Sequence, residues 1–372
     1  MKNLLVYLYD IRKPYVGLGE FQHQLATRMA GKARLLREEH GVKLWMMVPP
    51  QHVGRYGGEV EYVALTRFRL FVLRHKWLKA LSKTFLPEAA LTHWMQQLPK
   101  LSYRLSPATL VTIHDINFVH NGLSKQAFLK RMRRMQHSLD TATHLSFISQ
   151  FTADDVKAYF SVGQPSRVIV NGVTKRGDNN VQESCRSEWE GEENFLFHMS
   201  GLGRKKNAHL LVEMMRYLPD ERLYIAGKGE KGSIETLERL TDRHHLTNVR
   251  LLGVVSEGEK TWLYAHCKAF FFPSLSEGFG LPVVEAMSYG KPVFISRLTS
   301  LPEVGGRAAC YFDELSAESM AEVYRKGIAD YAENKEERVR TLERQASLFS
   351  WDKAADAYMA YYLDILSAGE DV

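Results

Sequence analysis

Cysteine is scarce, with Cys185, Cys267 and Cys310 the three in 372 residues. They are widely spaced, odd in number and in no metal-ligand pattern, which argues against a disulfide framework or zinc site and fits a reduced, cytoplasmic protein. No apolar run approaches the roughly 20 residues of a membrane helix. No short repeat or low-complexity tract appears. The first ten residues hold an apolar run closed by Asp10 with no small-residue cleavage site, so they read as a first strand rather than a signal peptide. Hydrophobic content of 45% and charge of 25% are those of a soluble globular protein. The length suits two domains, each with its own core.

Acid is scarce in one region. From Tyr62 to Leu139 thirteen Lys and Arg face only Glu88 and Asp115, a local balance of +11 against a total of +6. The basic surface therefore belongs to one domain. Within it, residues 66–86 carry Phe71, Trp77, Leu78, Leu81 and Phe85 beside Arg67, Arg69, Arg74, Lys76, Lys79 and Lys83. Two readings of this segment stand: an interfacial helix on anionic lipid, or a helix packed on a sheet with a solvated basic face. A second basic run, Lys130-Arg131-Met132-Arg133-Arg134, favours an anionic surface.

Apolar runs alternate with glycine-containing loops and helical periodicity. Leu4–Tyr9 precedes Gly17-Leu18-Gly19-Glu20 and a helix from Phe21, and Leu44–Val48 and Leu110–Ile113 read as further strands. Ser146–Ser149 ends another, with Thr152–Asp155 as a capping box for the next helix. Residues 175–194 are polar and charged and read as a linker. Beyond it, Phe195–Ser200, Arg222–Ala226 and Val249–Gly253 repeat strand and loop, and Ser256–Glu259 reads as the cap of the following helix. The tail after Leu315 is helical, closing on a helix that begins near Ser350. Such alternation implies parallel sheets with covered faces and ligands at the carboxyl ends of their strands.

The densest signal is Ala269-Phe270-Phe271-Phe272, a buried strand, followed by Ser274-Leu275-Ser276-Glu277-Gly278-Phe279-Gly280-Leu281-Pro282 and a helix carrying Glu285 in its first turn. Glycines let a ligand approach the backbone, Pro282 suits a helix start, and the free N–H groups there attract anions. Two carboxylates eight residues apart offer paired hydrogen bonds to vicinal hydroxyls.

The pattern Glu-Gly-Phe-Gly-Leu-Pro-x-x-Glu-Ala-Met, then Gly290-Lys291-Pro292-Val293, resembles the Glu, seven residues, Glu signature of glycosyltransferase family 4, the retaining GT-B enzymes (glycosyl transferases group 1). The resemblance implies an α/β GT-B fold, two Rossmann-like domains facing across a cleft, with a C-terminal helix crossing back to the first. The corresponding bounds are 1–174 for an acceptor-binding domain, 175–194 for the linker, 195–349 for a nucleotide-sugar domain and 350–372 for the returning helix. It also implies a nucleotide-sugar donor and a hexose passed to a glycan or lipid-linked glycan. Such an enzyme of surface polysaccharide synthesis would work in the cytoplasm or peripherally at the inner membrane face.

By the same resemblance Glu277 would bind hydroxyls of the donor sugar and Glu285 those of the ribose, while N–H groups around Gly278, Phe279, Gly280 and Leu281 would hold sugar and diphosphate. Arg204, Lys205 and Lys206 would meet the diphosphate. The Lys206-Asn207 end fits the family, but Gly201-Leu202 stand where its first arginine is expected, so that role falls to Arg204. Gly227, Lys228 and Val254 would flank the base, and Gly17 and Gly19 would approach the phosphates and acceptor. Thr112-Ile113-His114-Asp115 matches a family strand end that puts the histidine near the transferred sugar, although a His-Asp pair is also an ordinary structural feature.

A carboxylate nucleophile at Glu277 is one route to retention. The family's assignment of Glu277 to sugar hydroxyls favours same-face attack instead, with the leaving phosphate taking the acceptor's proton. The competing readings are a GT-B epimerase and an inactive GT-B module binding membrane or nucleic acid. No Asp-x-Asp occurs, so a metal bridging the diphosphate lacks its usual ligand pair, and no cofactor is expected. Transfer activity is predicted to persist in EDTA; complete loss restored by Mn²⁺ would contradict this.

Overall fold

The computed structural model describes residues 1–13, 16–98, 103–120, 122–174, 184–230 and 232–368. It divides into two compact units, Met1–Gly172 with Trp351–Val372, and Val173–Ser350.

Among the described residues the first unit holds seven strands, β1 (Lys2–Tyr7), β2 (Val42–Val48), β3 (Glu61–Ala64), β4 (Leu91–Trp94), β5 (Ala108–Ile113), β6 (His144–Phe147) and β7 (Ser166–Val168). All pair in parallel, in the order β3-β2-β1-β4-β5-β6-β7. Its helices are α1 (Gly17–Gly31), α2 (Ala33–His40), α3 (Arg67–Arg74), α4 (Lys79–Ser82), α5 (Lys125–Thr141) and α6 (Gln150–Tyr159). The second unit holds β8 (Leu196–Met199), β9 (Leu223–Ala226), β10 (Val249–Gly253), β11 (Ala269–Phe272), β12 (Val293–Ser296) and β13 (Cys310–Phe312), again all parallel, ordered β10-β9-β8-β11-β12-β13. Its helices run from α7 (Ala208–Met214) through α8 (Ser233–Arg243), α9 (Glu257–His266), α10 (Leu281–Ser288), α11 (Leu301–Gly305) and α12 (Ala317–Glu333) to α13 (Lys335–Ala346).

Both sheets reverse direction of growth once, between β1 and β4 and between β8 and β11. Loops leaving the carboxyl ends of those neighbours diverge, and the opening between them is where ligands bind in doubly wound sheets. Strand β11 is a near-continuous aromatic run because a central parallel strand is covered on both faces: Phe270, Phe271 and Phe272 are all fully buried.

The last helix, α14 (Trp351–Ala368), returns to the first unit, as the resemblance implied. A buried polar network pins it to the sheet. The Tyr362 hydroxyl meets His93 Nδ1 at 2.7 Å, His93 Nε2 meets Thr112 Oγ1 at 2.7 Å, and Thr112 Oγ1 meets Ser146 Oγ at 2.7 Å. The Tyr358 hydroxyl closes on Thr112 and Ser146 at 3.1 and 3.2 Å. His93, Thr112 and Ser146, buried on β4, β5 and β6, are satisfied this way rather than left unpaired, which would be costly.

Three local expectations differ from the structure. Residues 66–86 form α3, a 3₁₀ turn and α4 rather than one helix, because the chain turns extended at His75. The capping box expected at Thr152–Asp155 is replaced by a cap at Ser149, which accepts the Thr152 N–H, so the helix already starts at Gln150. Part of the linker, 175–183, lies outside the described residues; from 184 to 194 the chain packs on the second unit, where Trp189 is fully buried and stacks on Trp262 at 5.7 Å. The polar composition around Trp189 concealed that anchor.

Burial, with a smaller push from His114, holds the His93 imidazole neutral, its pKa lowered from 6.5 to about 3. The unfolded chain therefore binds the extra proton as pH falls below 6.5, and the stability that neutral His93 carries is lost on the way down. A loss of about 2 kcal/mol is predicted by about pH 5, with a shallower pH slope in His93→Gln, read from thermal unfolding across that range.

Candidate functional site

In the second unit the loops after β8 and β11, the two strands at the reversal, are tied together. The Lys205 carbonyl accepts from the Leu275 N–H at 2.8 Å and from Ser274 Oγ at 3.2 Å. Ser274's own carbonyl accepts from Ser296 Oγ at 2.5 Å on the next strand. On this frame the Lys206 ammonium forms an ion pair with Glu277 Oε1. Both side chains are mostly buried, 14% and 11% exposed, and the ammonium lies 5.2 Å over the Phe272 ring. The sequence thus brings Lys206 and Glu277, 71 positions apart, to one point at the switch of the sheet.

The Glu277 backbone is fixed as firmly. Its N–H donates to Thr299 Oγ1 at 3.0 Å, and Ser300 Oγ donates to the carbonyls of Glu277 and Phe279 at 3.1 and 2.8 Å. Thr299 sits at φ +55°, a left-handed conformation that a β-branched residue seldom adopts and that the surrounding contacts must hold. Ser276 through Gly280 are buried, and Gly280, at φ +114°, precedes α10.

Glu285 is the fifth residue of α10, one turn further in than the sequence suggested. Its Oε2 accepts from the Tyr264 hydroxyl at 2.8 Å and its Oε1 from Lys260 Nζ at 3.4 Å. Burial, then the Glu285 charge, pushes the Tyr264 pKa far up, so the phenol stays a donor. Lys260 and Tyr264 are one helical turn apart on α9, and that spacing was the signal for a pair reaching one target.

Arg204 to Lys206 form a 3₁₀ turn before α7, with Arg204 exposed and Lys205 half-buried. Gly227 follows β9 at φ +135°, and a Cβ there would lie 1.7 Å from the Ser200 carbonyl, so only glycine fits. Lys228 is exposed, and its carbonyl accepts from the Leu202 N–H at 2.9 Å. Val254 is 54% exposed. Arg186, which sequence reasoning left aside, donates to the carbonyls of Leu252 and Val254 at 3.3 and 3.4 Å and pairs with Glu259 at 2.5 Å.

In the first unit, His114 follows β5 and lies against Phe21, ring centroids 4.6 Å apart and perpendicular. Its Nε2 is 3.1 Å from the Met95 carbonyl. A carbonyl only accepts, so Nε2 carries the proton and Nδ1 is left as an acceptor. Burial lowers the His114 pKa to about 4, so the ring is neutral near pH 7. Gln97 clamps the turn, accepting from the His114 N–H at 3.3 Å and donating to the Asp115 carbonyl at 3.0 Å. The Asp115 carboxylate accepts the Asn117 N–H at 3.0 Å, a turn-capping contact. Gly17 and Gly19 fall inside α1 rather than in a loop before it. Gly17 is exposed, whereas a Cβ on Gly19 would lie 2.1 Å from the Lys13 carbonyl, so this glycine serves close backbone packing.

Comparison with known proteins adds a family to this geometry. Residues 182–346 match the family Glycosyl transferases group 1. The chain is similar to the serotype-specific mannosyltransferase WbdA of Escherichia coli, 29% identical over 196 residues covering 51% of this chain and 24% of that protein. It is also similar to the O-antigen chain mannosyltransferase B of the same organism, 28% identical over 268 residues, 68% of this chain and 69% of that one. The chain thus spans about a quarter of the first of these relatives and about two thirds of the second. Among solved structures, Anabaena Alr3699/HepE in complex with UDP-glucose superposes with a TM-score of 0.71 at 16% identity, covering 100% of both chains, so the fold is shared.

The buried pair can be tested without any ligand. Lys206→Met, which strands the Glu277 carboxylate, is predicted to destabilise the protein by about 3 kcal/mol. Adding Glu277→Gln should recover most of that loss in chemical denaturation followed by tryptophan fluorescence. Simple additivity of the two substitutions would mean the pair is not coupled.

Proposed function

Because the chain carries a group 1 glycosyl transferase domain over residues 182–346 on a GT-B fold, we propose that it transfers a hexose from a nucleotide sugar to a glycan or lipid-linked glycan, with retention of anomeric configuration. The observation that carries this is the Lys206–Glu277 pair at the switch of the second sheet, with Glu285 oriented one turn into the adjoining helix. A diphosphate carries more charge than a carboxylate, so it draws Lys206 away from Glu277 and leaves that carboxylate to accept from sugar hydroxyls. Arg204 and Lys205 add cationic charge at the same loop, where it meets the growing charge of the leaving group. Glu285, held by Tyr264 and Lys260, accepts from the ribose hydroxyls. Gly227, Lys228 and Val254 flank the base.

The bond from the anomeric carbon to the β-phosphate oxygen breaks, and the acceptor oxygen bonds to that carbon on the same face. The acceptor's proton passes to the departing phosphate. No divalent metal is assigned a part, since cationic side chains meet the phosphate charge. In the first unit, the neutral His114 ring offers Nδ1 as an acceptor for a hydroxyl, not as an acid.

The named relatives support mannose as the first sugar to try, and the UDP-glucose in the Anabaena protein supports a uridine donor as the second. The acceptor belongs to surface polysaccharide synthesis, as the O-antigen relative suggests, and the enzyme to the cytoplasm or the inner membrane face. The test is release of nucleoside diphosphate from GDP-mannose and from UDP-glucose without acceptor. One donor should turn over slowly, and Glu277→Ala and Lys206→Ala should each lower that rate by about 100-fold or more. Wild-type rates in both variants would remove the site from the reaction.

A further inference from the structure

We propose that one surface of the first unit docks on an anionic lipid bilayer, through an aromatic ridge on α3, the turn after it and α4, flanked by unpaired cations. The segment divides its residues between two environments. Val72 and Leu73 are fully buried, and Leu70 and Phe85 pack against the same core cluster as Leu73. Phe68, Phe71, Trp77 and Leu81 stay outside, at 61, 48, 75 and 38% exposure. They are not scattered, because His75 bridges two of them with ring centroids 4.2 Å from Phe71 and 6.2 Å from Trp77. An apolar ridge of this kind on a water-facing surface signals a partner.

The charge around the ridge identifies that partner. Arg67, Arg74, Lys76, Lys79 and Lys83 are exposed beside it, and no acidic residue occurs between Glu61 and Glu88. Among the described residues none of these five cations makes an ion pair. Helix α5 repeats the composition, with Leu129 43% exposed beside exposed Lys125, Lys130, Arg131, Arg133 and Arg134. Its Met135 and Leu139 enter the same core cluster as Leu73, so both basic elements lie over one face of the first sheet.

Aromatic and aliphatic side chains entering the headgroup boundary, with lysines and arginines around them meeting lipid phosphates, satisfy both halves of this surface. Nucleic acid would satisfy the cations and stack on Trp77, but it offers nothing to Leu81 and Leu129. The inference goes beyond the transfer reaction and is read without donor or acceptor, so its failure leaves the proposed activity standing.

The experiment is co-sedimentation of the full chain with phosphatidylcholine vesicles, with and without about 30% phosphatidylglycerol. Binding is expected with the anionic vesicles only, weakening as salt rises toward about 0.5 M. The double variant Phe71→Ser/Trp77→Ser and the triple variant Lys76→Glu/Lys79→Glu/Lys83→Glu should each lower the partition at least about tenfold, with thermal midpoints unchanged because these side chains are exposed. No binding to anionic vesicles, or wild-type partition in the Phe71→Ser/Trp77→Ser variant, overturns the proposal. So does binding to a random oligonucleotide that these variants lose while vesicles go unbound.

Discussion

The second unit is organised around an ion pair that has little water to screen it. Lys206 and Glu277 come from loops that leave neighbouring strands in opposite directions of sheet growth, and the tie between Lys205 and Ser274 holds those loops in register. A buried pair of this kind is not a strong source of stability, since desolvation offsets much of the attraction. Its value lies in keeping a carboxylate and an ammonium side by side and oriented, each with one partner, in a place where a ligand with a diphosphate and hydroxyls would give each a better one. Thr299, held at a left-handed φ against the Glu277 N–H, and Ser300, spanning two carbonyls, show how much of the local chain is committed to that orientation.

Much of this was legible in the sequence because it rests on short-range patterns. The aromatic run of β11, the glycines after it and Pro282 mark a strand, loop and helix through local chemistry alone, and Ser256 caps its helix as expected, with Glu259 completing a capping box. What the sequence hid depends on contacts between distant positions. Nothing local says that Lys206 meets Glu277, or that Arg186, in a stretch read as linker, reaches the carbonyls of Leu252 and Val254. The Lys260 and Tyr264 pair lay between these cases: the spacing was visible, but its target, Glu285, needed the packing of α9 against α10.

The first unit teaches a different lesson. Residues 66–86 admitted two readings, and the structure divides the segment between buried and exposed side chains: Val72 and Leu73 pack in the core, while Phe68, Phe71 and Trp77 face outward. Averaging over the segment obscured this, because the division runs between two faces of α3 itself and the break at His75 then redirects the second half. His114 likewise combines roles that a sequence cannot separate. Its ring is held by Phe21 and the Met95 carbonyl as a structural histidine would be, yet the same contacts leave Nδ1 a lone pair at a strand end.

The central claim is that the Lys206–Glu277 pair is the resting state of a donor site. A crystal structure with GDP-mannose or UDP-glucose bound tests it most directly. The account predicts the Lys206 ammonium on the diphosphate, Glu277 turned to the sugar hydroxyls and Glu285 on the ribose. A donor bound with the Lys206–Glu277 pair intact and neither glutamate touching it would contradict the account.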